Sequence, residues 1–144
     1  MKIVLQNVSS ASVTIDNKLY SSIENGFVVL VGFTDGDDEN KVKSMVDKLV
    51  KLRVIPDSDG NMNLSIQDVG GKILSISQFT LYANTKKGNR PSFVDALNPN
   101  EAIKLYDYFN QYLKKFVEVE TGVFGADMQV SLVNEGPITI VLEK

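Results

Sequence analysis

The chain has 144 residues, 43% of them hydrophobic and 23% charged, with a formal net charge of −3. That is the size and balance of one globular domain with a real core. It contains no His and no Cys, which excludes a disulfide framework, a thiolate nucleophile, the usual neutral-pH general base and the commonest transition-metal ligand.

The acidic balance excludes a generally basic nucleic-acid coat and leaves room for a local basic patch. The opening MKIVLQNVSS is too short in its apolar part for a signal peptide. No apolar run approaches the length of a membrane span, so no membrane partner and a cytoplasmic location are expected. KIVLQNVSSASVTID reads as two short strands joined at Ser9-Ser10. FVVLVGF (27–33) is a continuous apolar run, the pattern of a buried strand.

Between Asp38 and Leu52 the period changes. Val42, Met45, Val46, Leu49 and Val50 recur at the spacing of an amphipathic helix. The acidic Asp37, Asp38 and Glu39 suit the positive end of its dipole. The run DGDDE (35–39) lacks EF-hand ligand spacing and a closing Glu, so helix-start charge is expected there and no metal site. RVI (53–55) reads as a short strand, and PDSDG and DVGG as turns.

KILSISQFTL (72–81) reads as a strand, followed by the loop ANTKKGNRPSF. Asn98, Pro99 and Glu101 then announce a second helix, as N-cap, first helical residue and third position after the cap. Its apolar face is predicted to be Ile103, Tyr106, Phe109, Leu113 and Phe116. Strand-like segments follow around 117–120, 128–133 and 138–142. Strands outnumber helices and are not regularly separated by them, which predicts an α+β fold.

Three stretches carry candidate chemistry. In SISQFTLYA (75–83), strand geometry puts Ser75, Ser77 and Phe79 on one face and Gln78 and Thr80 on the other. The ordinary reading is a half-buried strand; the functional one is a pocket wall. In KKGNRP (86–91), Lys86, Lys87 and Arg90 form either a solvated loop or a phosphate contact. In NEGPIT (134–139) a Gly-Pro step interrupts good strand sequence. Such a step belongs at an edge, a bulge or a turn, or it fixes backbone groups to meet a ligand. Tyr82, Tyr106, Tyr108 and Tyr112 could stack on bases, but packing is the better reading.

SQFTLYA (77–83) and NEGPIT (134–139) resemble the two signature motifs of the D-aminoacyl-tRNA (D-tyrosyl-tRNA) deacylases. LQNVSSASVTID, LVGFTDGD, SMVDKLVKLR, DGNMNLSIQDVGG, KKGNRPSF and ETGVFGADMQVSLVNEGP are similar to that family in the same order. The resemblance covers essentially the whole chain. It is consistent with a single α+β domain, residues 1–144, with mixed and antiparallel sheets rolled into a barrel-like core and two main helices.

The resemblance implies hydrolysis of the ester between a D-amino acid and the terminal adenosine of tRNA, as translational proofreading. It implies a homodimer with active sites at the subunit interface. Glycyl-tRNA, mischarged on tRNA-Ala, is an expected second substrate, because glycine has no side chain to reject. Gly136 and Pro137 would form a cis peptide that enters the other subunit's pocket and rejects L-side chains. Ser77, Gln78, Phe79 and Thr80 would line that pocket and hold the adenosine and the ester carbonyl. Phe124 and Met128 match positions near the adenine. No cofactor is implied. One departure is visible: the family commonly has Arg after the first-strand Gln, where this chain has Asn7. Either another group braces the Gly-Pro loop or its hold differs.

Two routes to hydrolysis stay open without His or Cys. Thr80 attacks as a nucleophile, or the substrate's own 2′-OH helps activate water while the protein positions it. No base stands beside Thr80 in sequence, which favours the second. The rival classes are a nucleic-acid-binding module that has lost catalysis and a hydrolase of free D-amino-acid esters.

Overall fold

The computed structural model describes residues 1–144. The chain opens with β1 (Lys2–Ile15), β2 (Lys18–Ile23) and β3 (Gly26–Gly32), followed by α1 (Glu39–Val50). Two short strands, β4 (Ile55–Pro56) and β5 (Met62–Leu64), form a small separate ribbon. β6 (Lys72–Ser77) and a 3₁₀ turn (Phe79–Tyr82) lead to α2 (Pro99–Leu113), β7 (Glu118–Thr121) and β8 (Gln129–Glu143).

The main sheet runs β2-β1-β3-β6-β7, with β8 along the other edge of β1. β1 is antiparallel to its three neighbours, while β3, β6 and β7 are mutually parallel. The sheet curls until Ser21 Oγ on β2 donates to the Thr121 carbonyl on β7 at 2.8 Å. This is the expected α+β architecture, a nearly closed barrel-like sheet with two helices.

The apolar run of β3 is buried on both faces, which is why it does not alternate. Phe27, Val29 and Val31 join the core beneath Val42, Met45, Val46 and Leu49 of α1 and Tyr106, Phe109 and Leu113 of α2. Val28 faces the barrel interior with Val13, Leu74 and Ile76. Asp38 caps α1, its Oδ1 accepting from the Lys41 N–H at 2.8 Å. Asn98 caps α2 in the same way, accepting from Asn100 N–H at 2.9 Å.

Several local expectations change. Ser9-Ser10 is no turn: β1 continues through both, and their irregular pairing with β8 is absorbed as a register shift. Residues 128–133 and 138–142 belong to one long strand, β8. Of RVI only Ile55 is in a strand. On α2 the buried face is Ala102, Tyr106, Phe109, Asn110 and Leu113; Ile103, in its second turn, is exposed, and so is Phe116, which lies beyond the helix's end at Leu113. No helix is long and apolar enough to cross a membrane.

Candidate active site

β6 ends at Ser77, not at Leu81. Gln78 N–H still donates to the Val31 carbonyl at 2.7 Å, and the backbone then tightens into the 3₁₀ turn Phe79–Tyr82. The expected alternation of faces therefore stops at Ser77. Ser75 is fully buried in the core, Ser77 and Gln78 are half-buried, and Phe79 is 58% exposed. The first two N–H groups of the turn, Phe79 and Thr80, have no intrahelical partner, as at any helix start.

Gly32 is what brings this turn against β3. A Cβ on Gly32 would sit 2.9 Å from the Gln78 carbonyl oxygen and 3.2 Å from Leu81 Cβ. Only a residue without a side chain lets the two backbones approach so closely.

Beside the turn lies a cavity of about 600 Å³. Ser77, Gln78 and Phe79 line one side of it, and Phe124 and Met128 another. The end of β3, Phe93 and the start of α2 complete it. Phe79 and Phe93 meet edge to face, ring centres 5.1 Å apart. Sequence reading misses Gly32, Phe93 and Ala102. The first reads as a strand end and the second as part of a polar loop, and no local pattern ties either to residues 77–79.

Thr80 is exposed and is not part of the cavity wall; its Oγ accepts from the Gln78 side-chain amide. No base adjoins it in the chain. Tyr82, the last residue of the turn, is pushed up to a pKa of about 12 by burial and by the nearby Asp37 and Glu143 carboxylates, so its phenol stays protonated at neutral pH. The Lys2 ammonium lies 4.9 Å from the Tyr82 ring centre.

Lys86, Lys87 and Arg90 lie on an exposed loop whose neck is a two-way backbone pair between Asn84 and Ser92, at 2.8 and 3.0 Å. Phe93 follows that neck directly, so the basic loop springs from the rim of the cavity.

Gly136 and Pro137 do not line the cavity of their own chain. They are exposed on β8, and the peptide between them is cis. Gln6 pairs with Thr139 and Val8 with Asn134, so Asn7 alone stands opposite Glu135, Gly136, Pro137 and Ile138. The extra residues bulge from the ladder. Asn134 Nδ2 donates to Thr139 Oγ1 at 2.9 Å, and Gln6 Nε2 to the same oxygen at 3.3 Å. Ile138 N–H donates back to Asn134 Oδ1 at 3.3 Å, with the Ile138 side chain buried in the core. Gln6, Asn134 and Thr139 are the side chains that tie the base of this loop together beside Asn7.

Tyr106 is a core residue, its hydroxyl donating to the Ser75 carbonyl at 2.8 Å. Tyr108 and Tyr112 stack on each other, ring centres 6.3 Å apart, half-buried where α2 meets α1, with the Tyr112 hydroxyl donating to Asp47 Oδ1 at 3.3 Å. Asp37 is occupied by the Met1 ammonium at 2.7 Å, and Asp38 by the helix cap.

The family model described as D-Tyr-tRNA(Tyr) deacylase matches residues 4–143. The chain belongs to this family. It is a hydrolase acting on the ester bond of D-aminoacyl-tRNA. Among solved structures, the c-Myc DNA unwinding element binding protein is similar at 39% identity and TM-score 0.95, with 100% of this chain and 99% of that one covered. A probable eukaryotic D-amino acid tRNA deacylase shares the fold at 17% identity and TM-score 0.84, covering 98% and 97%.

Proposed function

We propose that the deacylase works as chiral proofreading on the 3′-terminal adenosine of tRNA, in a homodimer that exchanges Gly-Pro loops. The observation that carries the proposal is the near full-length family match, residues 4–143. The apolar cavity beside Ser77–Phe79 has the size and lining for an adenosine. Phe124 and Met128 receive the base; Gln78 and the free N–H groups of Phe79 and Thr80 face the ester carbonyl. Those N–H groups serve as preorganised donors for the oxyanion.

Two features favour a second copy. Gly136 and Pro137 are exposed and take no part in their own chain's cavity. The outer edge of β8 has no strand beside it, and Val133 and Val141 are exposed on that strand; an open edge of that length is a natural pairing surface. Gly136-Pro137 of the second copy then bounds the amino-acid site with backbone alone and excludes an L-side chain. Glycyl-tRNA, including glycine mischarged on tRNA-Ala, passes the same gate. Lys86, Lys87 and Arg90 contact acceptor-strand phosphates.

The terminal 2′-OH assists the attacking water, since neither His nor Cys exists to do so. Thr80→Ala then keeps kcat within about tenfold, against the loss of about 10⁶ that removal of a true nucleophile produces. A D-aminoacyl-tRNA ending in 2′-deoxyadenosine is not deacylated. Rapid deacylation of that substrate would sink the 2′-OH role. Parallel assays on D-Tyr-tRNA and L-Tyr-tRNA test the gate: Pro137→Ala alters the rate or the D/L ratio, and a variant unchanged in both removes it from the mechanism.

The name of the 39%-identical relative favours a second reading, binding to a DNA unwinding element. DNA affinity with no turnover of D-Tyr-tRNA would select it.

A further inference from the structure

A second cavity, of about 460 Å³, opens on the other side of Phe124, which lines both. Its lining includes Tyr20 from β2, Tyr106, Asp107 and Asn110 from α2, and Lys114 at the helix's C-cap. Nothing in the proposed hydrolysis uses it. Yet Asn110 is only 7% exposed, and its side-chain carbonyl has no hydrogen-bond partner. A buried acceptor left unpaired is costly, so a donor entering this cavity is favoured. Tyr20 is 54% exposed and offers an aromatic face. Neither Asp107 nor Lys114 belongs to any ion pair.

We propose that this cavity binds the nucleotide preceding the terminal adenosine on the tRNA acceptor strand. The inference rests on the adenosine reading of the first cavity. All tRNA acceptor strands end C-C-A, so the base in question is cytosine. Its exocyclic amine is a donor, and carboxylate or amide oxygens are its natural acceptors. Asn110 Oδ1 and Asp107 supply two such oxygens. Tyr20 supplies a stacking platform of the kind that holds single-stranded bases, and Lys114 is free to meet a phosphate. Phe124 then divides two consecutive bases, with one nucleotide on each side of its ring.

The test uses three small D-tyrosyl esters, on adenosine, on the dinucleotide CpA and on UpA. The wild-type protein is expected to show a KM about tenfold lower for the CpA ester than for the adenosine ester. The UpA ester gains less, because uracil presents a carbonyl where cytosine has the amine. Tyr20→Ala and Lys114→Ala reduce the CpA-over-adenosine preference to about twofold. Asn110→Leu removes the preference for CpA over UpA. Its folding is followed by thermal melting, and the two exposed-site variants carry the test if it does not fold.

Equal KM values for all three esters in the wild-type protein overturn the inference. So does a Tyr20→Ala or Lys114→Ala variant that raises KM equally for the adenosine and CpA esters, which marks a structural role. Failure of the adenosine reading looks different: none of the three esters is hydrolysed although full-length D-Tyr-tRNA is, and the inference falls with it.

Discussion

Asn134 and Thr139 are joined side chain to side chain at 2.9 Å across the base of the Gly-Pro loop. The bond spans the residues that have no partner on β1 except Asn7. Thr139 Oγ1 also receives Gln6, so one hydroxyl closes both the loop and its seam with β1. Thr139→Val keeps the shape and removes that acceptor. Because these groups are exposed, the stability cost is small, about 0.5–1.5 kcal/mol. The expected functional cost is larger: a fall in kcat of about tenfold or a loosened D/L ratio, since misplacement of a positioning element is felt in the chemical step. Thr139→Ser restores both. Loss of stability with unchanged kinetics would reduce the bond to a structural tie.

Gly136→Ala tests the loop from inside. Gly136 sits at φ +114, where side chains are strained, and a Cβ there would stand 2.6 Å from Ile138 Cγ1. The loop must shift to admit it. Deacylation of D-Tyr-tRNA is expected to fall by about 10² or more, while urea denaturation registers a loss of only about 1–3 kcal/mol.

Removing charge from Lys86, Lys87 and Arg90 is expected to raise KM for charged tRNA and to leave kcat alone. Every phosphate that is no longer neutralised lowers the slope of log affinity against log salt by about 0.7–0.9. A salt titration of the Lys87→Ala, Arg90→Ala double variant measures this directly. An unaltered slope returns the loop to the status of solvated surface.

Asp37 holds the chain's fully buried ion pair. Its carboxylate and the Met1 ammonium are both buried, 2.7 Å apart, and it also receives the Thr34 N–H at 2.8 Å and the Lys41 ammonium at 3.2 Å. Asp37→Ala leaves a buried cation without its partner, which costs about 3–5 kcal/mol. Chemical denaturation should show that loss, with the midpoint shifted and the slope retained.

The acid limb of stability has two identifiable contributors. Asp57 is held below the ordinary carboxylate range by the Asn61 N–H first, then by the Asn63 amide and the Asp59 N–H. Asp68 is lowered by the backbone and hydroxyl of Ser65. A depressed folded-state pKa stabilises above the unfolded value, about 3.9, and that contribution disappears as pH falls through the folded value. Melting temperature should therefore drop below about pH 4, and less steeply in Asp57→Asn and Asp68→Asn variants.

How much of this can be read from sequence depends on how local the cause is. Asn98-Pro99 before a periodic stretch announces α2 because capping acts within one turn. Residues 27–33 announce a buried strand because burial on both faces leaves no polar position. The end of β6 is hidden, since SQFTL alternates as a strand should. What stops it is the close approach to Gly32, far away in sequence. Ser9-Ser10 misleads in the opposite direction: two small polar residues look like a turn, yet the pairing of β1 with β8 holds them extended. Ile103 and Phe116 have the right spacing for the core, but Ile103 sits on the exposed side of α2 and Phe116 comes after the helix has ended at Leu113. The resemblance locates NEGPIT; only the register with β1 reveals that the bulge is closed by Asn134 and Thr139.

The first half of β1 is hydrogen-bonded on one side to β3, which carries the cavity wall, and on the other to β8, which carries the Gly-Pro loop. Gln6, for instance, is opposite Val28 and Thr139 at once. The strand is thus a common ruler for two parts that would serve different copies of the protein. A one-residue slip would turn its inward side chains outward and offset pocket and loop together. In the proposed mechanism, the tolerance for telling mirror-image substrates apart is therefore set by ladder spacing.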